Sequence, residues 1–278
     1  MEERLKILIT NDDGYCAKGL LTLVKILKPY GDLLIVAPKK HQSGMSMAVS
    51  MGMQPIAVKY LGKKENESWY YVDGTPASCV KYGIDNIMYP ERPDIIVSGI
   101  NHGGNYATAA LYSATVGAAM EGAVNKIPAI AVSVDNFSEN ADFDCVEAFF
   151  PQIFEKLTSN LEPCFGRFYN INFPDLPPEK VKGIKPGHMG IAHWEKEYQP
   201  YTLDVFTRKG AAGRFRQEAI DNAEPGEDLY IMVGDFTDDR ANTPGADHRL
   251  VSEGYIAICA HNIDNTDRAE VERLESLF

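Results

Sequence analysis

The sequence predicts an α/β protein: a doubly wound, mostly parallel sheet followed by a β-rich C-terminal extension. Three observations point there. Short apolar runs recur that are too continuous for strands with one wet face, as expected of strands buried on both faces. Stretches with helical apolar spacing separate these runs, the pattern of successive βαβ units. Four of the runs then stop abruptly in polar or glycine-rich loops, where open α/β sheets bind ligands.

Lys6 to Thr10 reads as the first strand, its apolar run starting at Leu5, and Gly19 to Leu27 as a helix that stops before Pro29. Leu33 to Ala37 is a second strand closed by Pro38. Residues 48–72 interrupt the alternation with a hairpin around Gly62 to Ser68. Thr75 to Met88 reads as a helix, with Thr75 as N-cap and Pro76 at the first helical position. Ile95 to Val97 is a third strand. Ser113 to Val124, rich in Ala and Gly, is a helix suited to close packing on a sheet, and Ala129 to Val134 is a fourth strand. Phe143 to Leu161 reads as a helix and Arg167 to Asn172 as a strand. After Pro174 the texture turns to Pro, Gly and charge, with strand-like pieces at Tyr201 to Phe206 and Leu229 to Val233. Tyr255 to Cys259 returns as a strand and Asp267 to Leu277 as a terminal helix. One domain spans 1–278, with a core over 1–175 and an extension over 176–278.

Composition narrows the function classes. Hydrophobic residues make up 45% and charged residues 24% of the 278, ordinary for a soluble globular protein. A net charge of -12 argues against binding nucleic acid polymers or anionic membranes, and an anionic substrate would need a cation in its site. No segment is apolar enough to span a bilayer, and the start Met-Glu-Glu-Arg lacks a signal-peptide pattern, so a cytoplasmic location is the expectation. The five cysteines are widely spaced without C-x-x-C, implying neither a disulfide framework nor a zinc site.

The chemistry concentrates in four loops. The first, Asn11-Asp12-Asp13-Gly14, puts two adjacent carboxylates at a buried strand's mouth. They repel each other and lose solvation unless a cation sits between them, and hard oxygen ligands suit Mg²⁺, Mn²⁺ or Ca²⁺. The same residues are good turn chemistry, with Asp12 or Asp13 able to cap the next helix, and alone they admit both readings. The second loop runs from Pro38 through Lys39, Lys40, His41, Gln42, Ser43 and Gly44 to Ser46. A hydroxyl beside a glycine can offer an oxygen to a metal and open amides to an anion; the bland alternative is a surface loop. The third, Ser98 to Asn105, has three glycines for close backbone approach and two carboxamides, Asn101 and Asn105. It also reads as a glycine-rich turn. The fourth, Tyr112-Ser113-Ala114-Thr115-Val116-Gly117, opens a helix, where free amides and two hydroxyls make an anion site or where Ser113 simply caps. Together the loops put a carboxylate pair, a hydroxyl, a carboxamide and an anion-binding helix start on one sheet edge. That fits a divalent metal holding a phosphomonoester, with a metal-activated water attacking. No Walker motif, G-x-G-x-x-G after the first strand, G-x-S-x-G elbow or D-x-D at the first strand is present.

These residues resemble the SurE family, the survival-protein nucleotidases. The matching blocks are Thr10-Asn11-Asp12-Asp13-Gly14 with Ala17 and Gly19, Ala37-Pro38 with Gln42-Ser43-Gly44, Asp73-Gly74-Thr75-Pro76-Ala77, Pro93-Asp94 with Ser98 to Asn105, Tyr112 to Gly122, and Pro128 to Ser133. Asn170-Ile171-Asn172-Phe173-Pro174 matches a later segment. The resemblance implies a Rossmann-like core and a metal-dependent enzyme that hydrolyses nucleoside 5′- and 3′-monophosphates, with short polyphosphate cleavage as a side activity. It carries the metal ligands onto Asp12, Asp13, Ser43 and Asn101, for one Mg²⁺ or Mn²⁺ per subunit. It carries phosphate contacts onto Gly44, Asn105, Ser113 and Thr115, a catalytic role onto Asp12, Asp13 and Asn105, and a supporting role onto Asn11. It also implies a homodimer or homotetramer with C-terminal parts exchanged, which suits the extension. The chain departs from the family pattern at Ser78, where Asp is usual, at Ala114, where Gly is common, and at Ala257-Ile258-Cys259-Ala260-His261 in the later strand. The resemblance does not identify the residues that touch a base; Tyr106 and His102 are candidates only from their place in or beside the third loop. Two other readings stand beside this one: an aspartate-pair deacetylase, which needs histidine ligands, and a nucleotide or metal sensor without turnover.

Overall fold

Side-chain alternation along strands buried on both sides decides what each face of the sheet receives. The computed structural model describes residues 4–50, 55–138, 140–160, 162–202 and 220–278. In β1 (Leu5–Thr10), Ile7 and Ile9 join one core cluster and Leu8 the other. In β2 (Gly31–Pro38), Leu33 and Ile35 divide from Leu34 and Val36 in the same way, as do Ile130 and Val132 from Ala129 and Ala131 in β6 (Ala129–Val134). The first cluster is covered by α1 (Lys18–Leu27) through Leu20, Leu23 and Leu27, and by α4 (Asp144–Thr158) through Phe150, Ile153 and Phe154. The second is covered by α2 (Pro76–Tyr82) and α3 (Ala114–Val124), whose small residues Ala118, Ala119 and Ala123 bring that helix close to the strands.

The remaining strands of the main sheet are β3 (Val58–Lys64), β4 (Glu67–Val72), β5 (Ile95–His102), β7 (Arg167–Phe173), β8 (Ile184–Gly187) and β13 (Ile256–Asn262). Its nine strands run in the order β3-β4-β2-β1-β5-β6-β7-β13-β8. From β4 to β7 every pairing is parallel; β3 is antiparallel to β4, and β13 is antiparallel to β7. The chain goes one way from β1 to β2 and β4, then the other way from β5 to β6 and β7. The order therefore reverses between β1 and β5, and the carboxyl ends of those strands face the crevice where such sheets bind ligands. The predicted α/β class with a doubly wound, mostly parallel sheet is the fold observed.

Several boundaries differ for local reasons. The third predicted strand stopped at Val97, but β5 continues to His102. Its register against β6 shifts between Ser98, opposite Ala131, and Asn101, opposite Ser133. Gly99 there has φ +142, which side chains rarely adopt, so the bulge absorbs the glycine and the strand resumes with Asn101 and His102 paired. The predicted helix over 75–88 is an α-helix to Tyr82 and a wider π-type turn over Gly83–Met88. Thr75 caps it as expected, accepting from the Ser78 amide at 3.2 Å. The Ser78 hydroxyl is spent internally: it accepts from the Ser50 amide at 2.8 Å and pairs with the Thr75 hydroxyl at 2.9 Å. The predicted end of α4 at Leu161 and the strand residues Leu203 to Phe206 lie outside the described residues.

The extension forms two small antiparallel pairs. β9 (Ala192–Glu195) pairs with β12 (Asp235–Asp238), and β10 (Tyr198–Pro200) with β11 (Tyr230–Met232). α5 (Asp247–Ser252) packs Leu250 and Val251 on Ala257 of β13, whereas the terminal α6 (Arg268–Glu275) has no buried residue. Among the described residues no helix is long and apolar enough to cross a membrane.

One contact fixes the second loop to the rest. Gly117 of α3 lies so close to the Ser46 carbonyl and the Met47 amide that an added Cβ would overlap backbone. Gly117→Ala should therefore lower the urea midpoint, by about 1–3 kcal/mol for the forced shift, outweighing a helix-propensity gain of roughly 1 kcal/mol. A midpoint that stays or rises would show that α3 and this loop do not rest on each other.

Candidate active site

The turn after β1 is built by Asn11. Its side-chain amide donates to the Gly14 carbonyl at 3.0 Å and its oxygen accepts from the Gly14 amide at 3.3 Å. Neither aspartate caps the next helix: α1 starts at Lys18 behind Ala17, with no side-chain cap. The turn is thus made without either carboxylate, and the helix-capping part of the turn reading does not hold. Asn11 makes the turn, and Asp12 and Asp13 are left to face each other and the loops around them.

Asp12 is 3% exposed. Its backbone carbonyl accepts from the Gln42 amide at 2.7 Å, which clamps the second loop over the first. Its Oδ1 accepts from the Thr115 hydroxyl at 2.7 Å, reaching across from the first turn of α3. Asp13 lies 3.1 Å from His41 Nδ1 through Oδ1, while its Oδ2 is buried and meets no hydrogen-bond donor. Burial, then the neighbouring Asp13 charge, push the Asp12 carboxyl up to about 6, against the pull of Thr115 and His41. A carboxylate held at that cost beside an oxygen without a donor is a place where positive charge is missing. The set fits a hard divalent cation. Among the described residues no three His, Cys, Asp or Glu side chains gather to hold a metal, so the donors available are two carboxylates and neutral oxygens.

The other predicted site residues lie in the loop clamped over Asp12, at the start of α3, and at and beyond the end of β5, the strand paired with β1. Ser43 and Gly44 form a turn one and two residues beyond Gln42, with Ser43 half-buried and open space around Gly44. Ser46 ties that loop to the start of α3, its amide donating to the Tyr112 carbonyl at 2.9 Å and its hydroxyl to the Leu111 carbonyl at 2.7 Å. Ser113 caps α3, accepting from the Val116 amide at 3.2 Å. Helix geometry leaves the Ala114 and Thr115 amides without acceptors inside the helix. Asn101 is buried at the end of β5, its amide donating to the Gly103 carbonyl at 2.7 Å and its oxygen remaining for another partner.

Asn105 is the most constrained of the set. Its backbone amide donates to Asn172 Oδ1 at 2.7 Å, and its carbonyl accepts from Asn170 Nδ2 at 2.6 Å and Asn172 Nδ2 at 3.3 Å. Its side-chain amide donates to the Ser133 hydroxyl at 2.8 Å. Ser133, Asn170 and Asn172 are fully buried supporting residues that sequence reasoning missed. A signal was there: polar residues at the carboxyl ends of two strands otherwise apolar on both faces. His41, next to Lys39 and Lys40 in the second loop, lies against Asp13. His102 is buried edge-on to Phe143. The Tyr106 hydroxyl donates to Asp135 at 2.9 Å.

The raised Asp12 carboxyl makes a pH prediction. The metal-free folded chain binds that proton more tightly than the unfolded chain does, so its stability rises as pH falls from above 6 towards 4. Asp12→Asn keeps an acceptor for Thr115 and removes the charge. In EDTA it should melt above the wild type at pH 8, with the gap closing as pH falls through 6. A gap independent of pH would mean that Asp12 is not held against its charge.

Comparison with known proteins gives these loops a setting. Residues 7–196 match the family model described as Survival protein SurE. The 5′-nucleotidase SurE of Christiangramia forsetii is 34% identical over 274 residues, covering 97% of this chain and 95% of that protein. The 5′-nucleotidase SurE of Caldanaerobacter subterraneus subsp. tengcongensis is 35% identical over 277 residues, covering 98% and 97%. The crystal structure of the SurE protein from Aquifex aeolicus matches with a TM-score of 0.77 at 28% identity, over 98% of this chain and 99% of that one. With the sheet reversal, the carboxylate pair and the α3 start all in place, the chain belongs to the SurE family.

Proposed function

We propose that the chain is a metal-dependent phosphomonoesterase that hydrolyses nucleoside 5′-monophosphates, and 3′-monophosphates more broadly, to nucleoside and phosphate. The observation that carries the reading is the pair of buried Asp12 and half-buried Asp13, short of positive charge and tied by Thr115 to the amino end of α3. The relatives named as 5′-nucleotidases support the substrate class. Asp12, Asp13, Ser43 and Asn101 would hold the cation. Mg²⁺ or Mn²⁺ bound there supplies Lewis acidity to a phosphoryl group and acidifies water.

The chain's own groups do the rest. The Ala114 and Thr115 amides, with Ser113 at the cap, offer donors and a helix dipole to phosphoryl oxygens. The Gly44 turn offers an open backbone. Asn105 contributes from a position that Ser133, Asn170 and Asn172 hold still, so that its donor needs no reorganisation as charge builds up. Thr115 holds Asp12 Oδ1, which weakens that oxygen as a nucleophile and favours water as the attacking group. Short polyphosphate presents the same terminal phosphoryl group and fits the same donors. A cytoplasmic homodimer or homotetramer completes the reading, supported by exposed Trp194, Tyr198, Tyr230 and Met232 on the small sheets and by the uncovered α6.

The test is phosphate release from purine and pyrimidine mononucleotides and short polyphosphate, with Mg²⁺, Mn²⁺ or EDTA. Release should require metal, vanish in Asp12→Asn, and fall about 10- to 100-fold in Thr115→Val, where only the support of Asp12 is lost. Full activity in Asp12→Asn, or release untouched by EDTA, would remove the assignment; a trapped phospho-aspartate would replace water by Asp12 as the nucleophile.

A further inference from the structure

Asp247 has no exposed surface; among the described residues no lysine or arginine pairs with it, and the His248 ring lies 3.6 Å from its Oδ1 through Nδ1. It opens α5 in the C-terminal extension, 140 residues after the segment it touches. Both its carboxylate oxygens accept from the Ala107 backbone amide at 3.0 Å. Oδ1 also accepts from the Gly190 amide at 3.0 Å and its neighbour His248's amide at 2.9 Å. The thiol of Cys259 on β13 faces the same carboxylate, and burial and that charge push it up to about 12. Full burial of a carboxylate is costly, and here the backbone amides of Ala107, Gly190 and His248 offset the cost, with the His248 ring beside them.

Ala107 shows what the carboxylate holds. It is fully buried with φ +48, a left-handed conformation uncommon outside glycine. It lies two residues after Asn105. The segment is thus gripped at both ends: Asn170 and Asn172 hold the Asn105 backbone, and Asp247 holds the Ala107 amide. Between them, Tyr106 is clamped by its bond to Asp135, by an edge contact with Phe236 and by a tilted contact with the His248 ring. Such a conformation persists only where its surroundings over-determine it.

We propose that Asp247 is a positioning residue for the candidate site: its carboxylate holds Ala107 in the left-handed turn and thereby sets Asn105 at the place where phosphate would lie. The inference rests on the nucleotidase reading for its kinetic consequence and on hydrogen bonds alone for the tether. It gives the extension a part in the chemistry through a side chain that never meets substrate.

The test uses the full chain. In the wild type, hydrogen exchange should find the Ala107 amide among the slow amides despite its place beyond a strand end; exchange at open-loop rates would overturn the proposal without any variant. Asp247→Asn places an N–H group against those amides. It should speed exchange at 105–107 while amides of β1 and α1 stay protected. Phosphate release by this variant should fall in kcat by about 10²-fold with KM little changed, and adding Asp247→Asn to Asn105→Ala should cost no more than Asn105→Ala alone. Additive losses, or an unchanged kcat, would overturn it. If the wild type releases phosphate from no nucleotide, the nucleotidase reading fails and the exchange experiment still decides the tether.

Discussion

The setting of a buried carboxylate, Asp12, beside a half-buried one, Asp13, at the mouth of β1 is the constraint on which the rest of this structure depends. A chain folding for stability alone would not set Asp12 where burial and Asp13 both oppose its charge. The surroundings are arranged to make that position tenable without relieving it. Asn11 takes over the turn, so neither carboxylate is consumed there. Thr115 and His41 each reach one oxygen, and Asp13 Oδ2 is left in the interior without a donor. The local deficit is specific to a cation, because a neutral donor would satisfy the oxygen but not the repulsion between the charges.

Much of this was legible because strands buried on both faces write themselves as apolar runs, and their ends are where the runs break. Ile7 to Asp12 carries the strand, its end and the chemistry in six residues. The capping of α2 by Thr75 and of α3 by Ser113 was equally local. The continuation of β5 past Val97 was not, since Ser-Gly-Ile-Asn-His has a loop's composition and becomes a strand only because β6 lies beside it to accept the pairing. The roles of Asn170, Asn172 and Asp247 were hidden for a different reason. Each acts on Asn105 or Ala107 across 65 to 140 residues of chain, and no window-based pattern reports a partner at that distance.

The loops divide into two mechanical groups. The first, second and fourth are bonded to one another through Gln42, Ser46, Thr115 and the close approach of Gly117, so the carboxylates and the start of α3 move as one body. The third is fastened separately, to β6, β7 and the extension. A ligand lying between the carboxylates and Asn105 would bridge these two bodies. The tightness of each group then sets how little either gives way as charge redistributes across the bridge.

The placement of Asp247 near the end of the chain also has a consequence for synthesis. The part of the chain from β1 to β7 contains the carboxylates, the start of α3 and the asparagines that hold Asn105, and all of these emerge from the ribosome well before α5. Until residue 247 docks, its carboxylate is not there to hold Ala107 in the left-handed turn. A growing chain would thus carry its charged half-site early and its finished geometry only at the end, so the C-terminal hundred residues act as a late latch on a pocket whose walls are already standing.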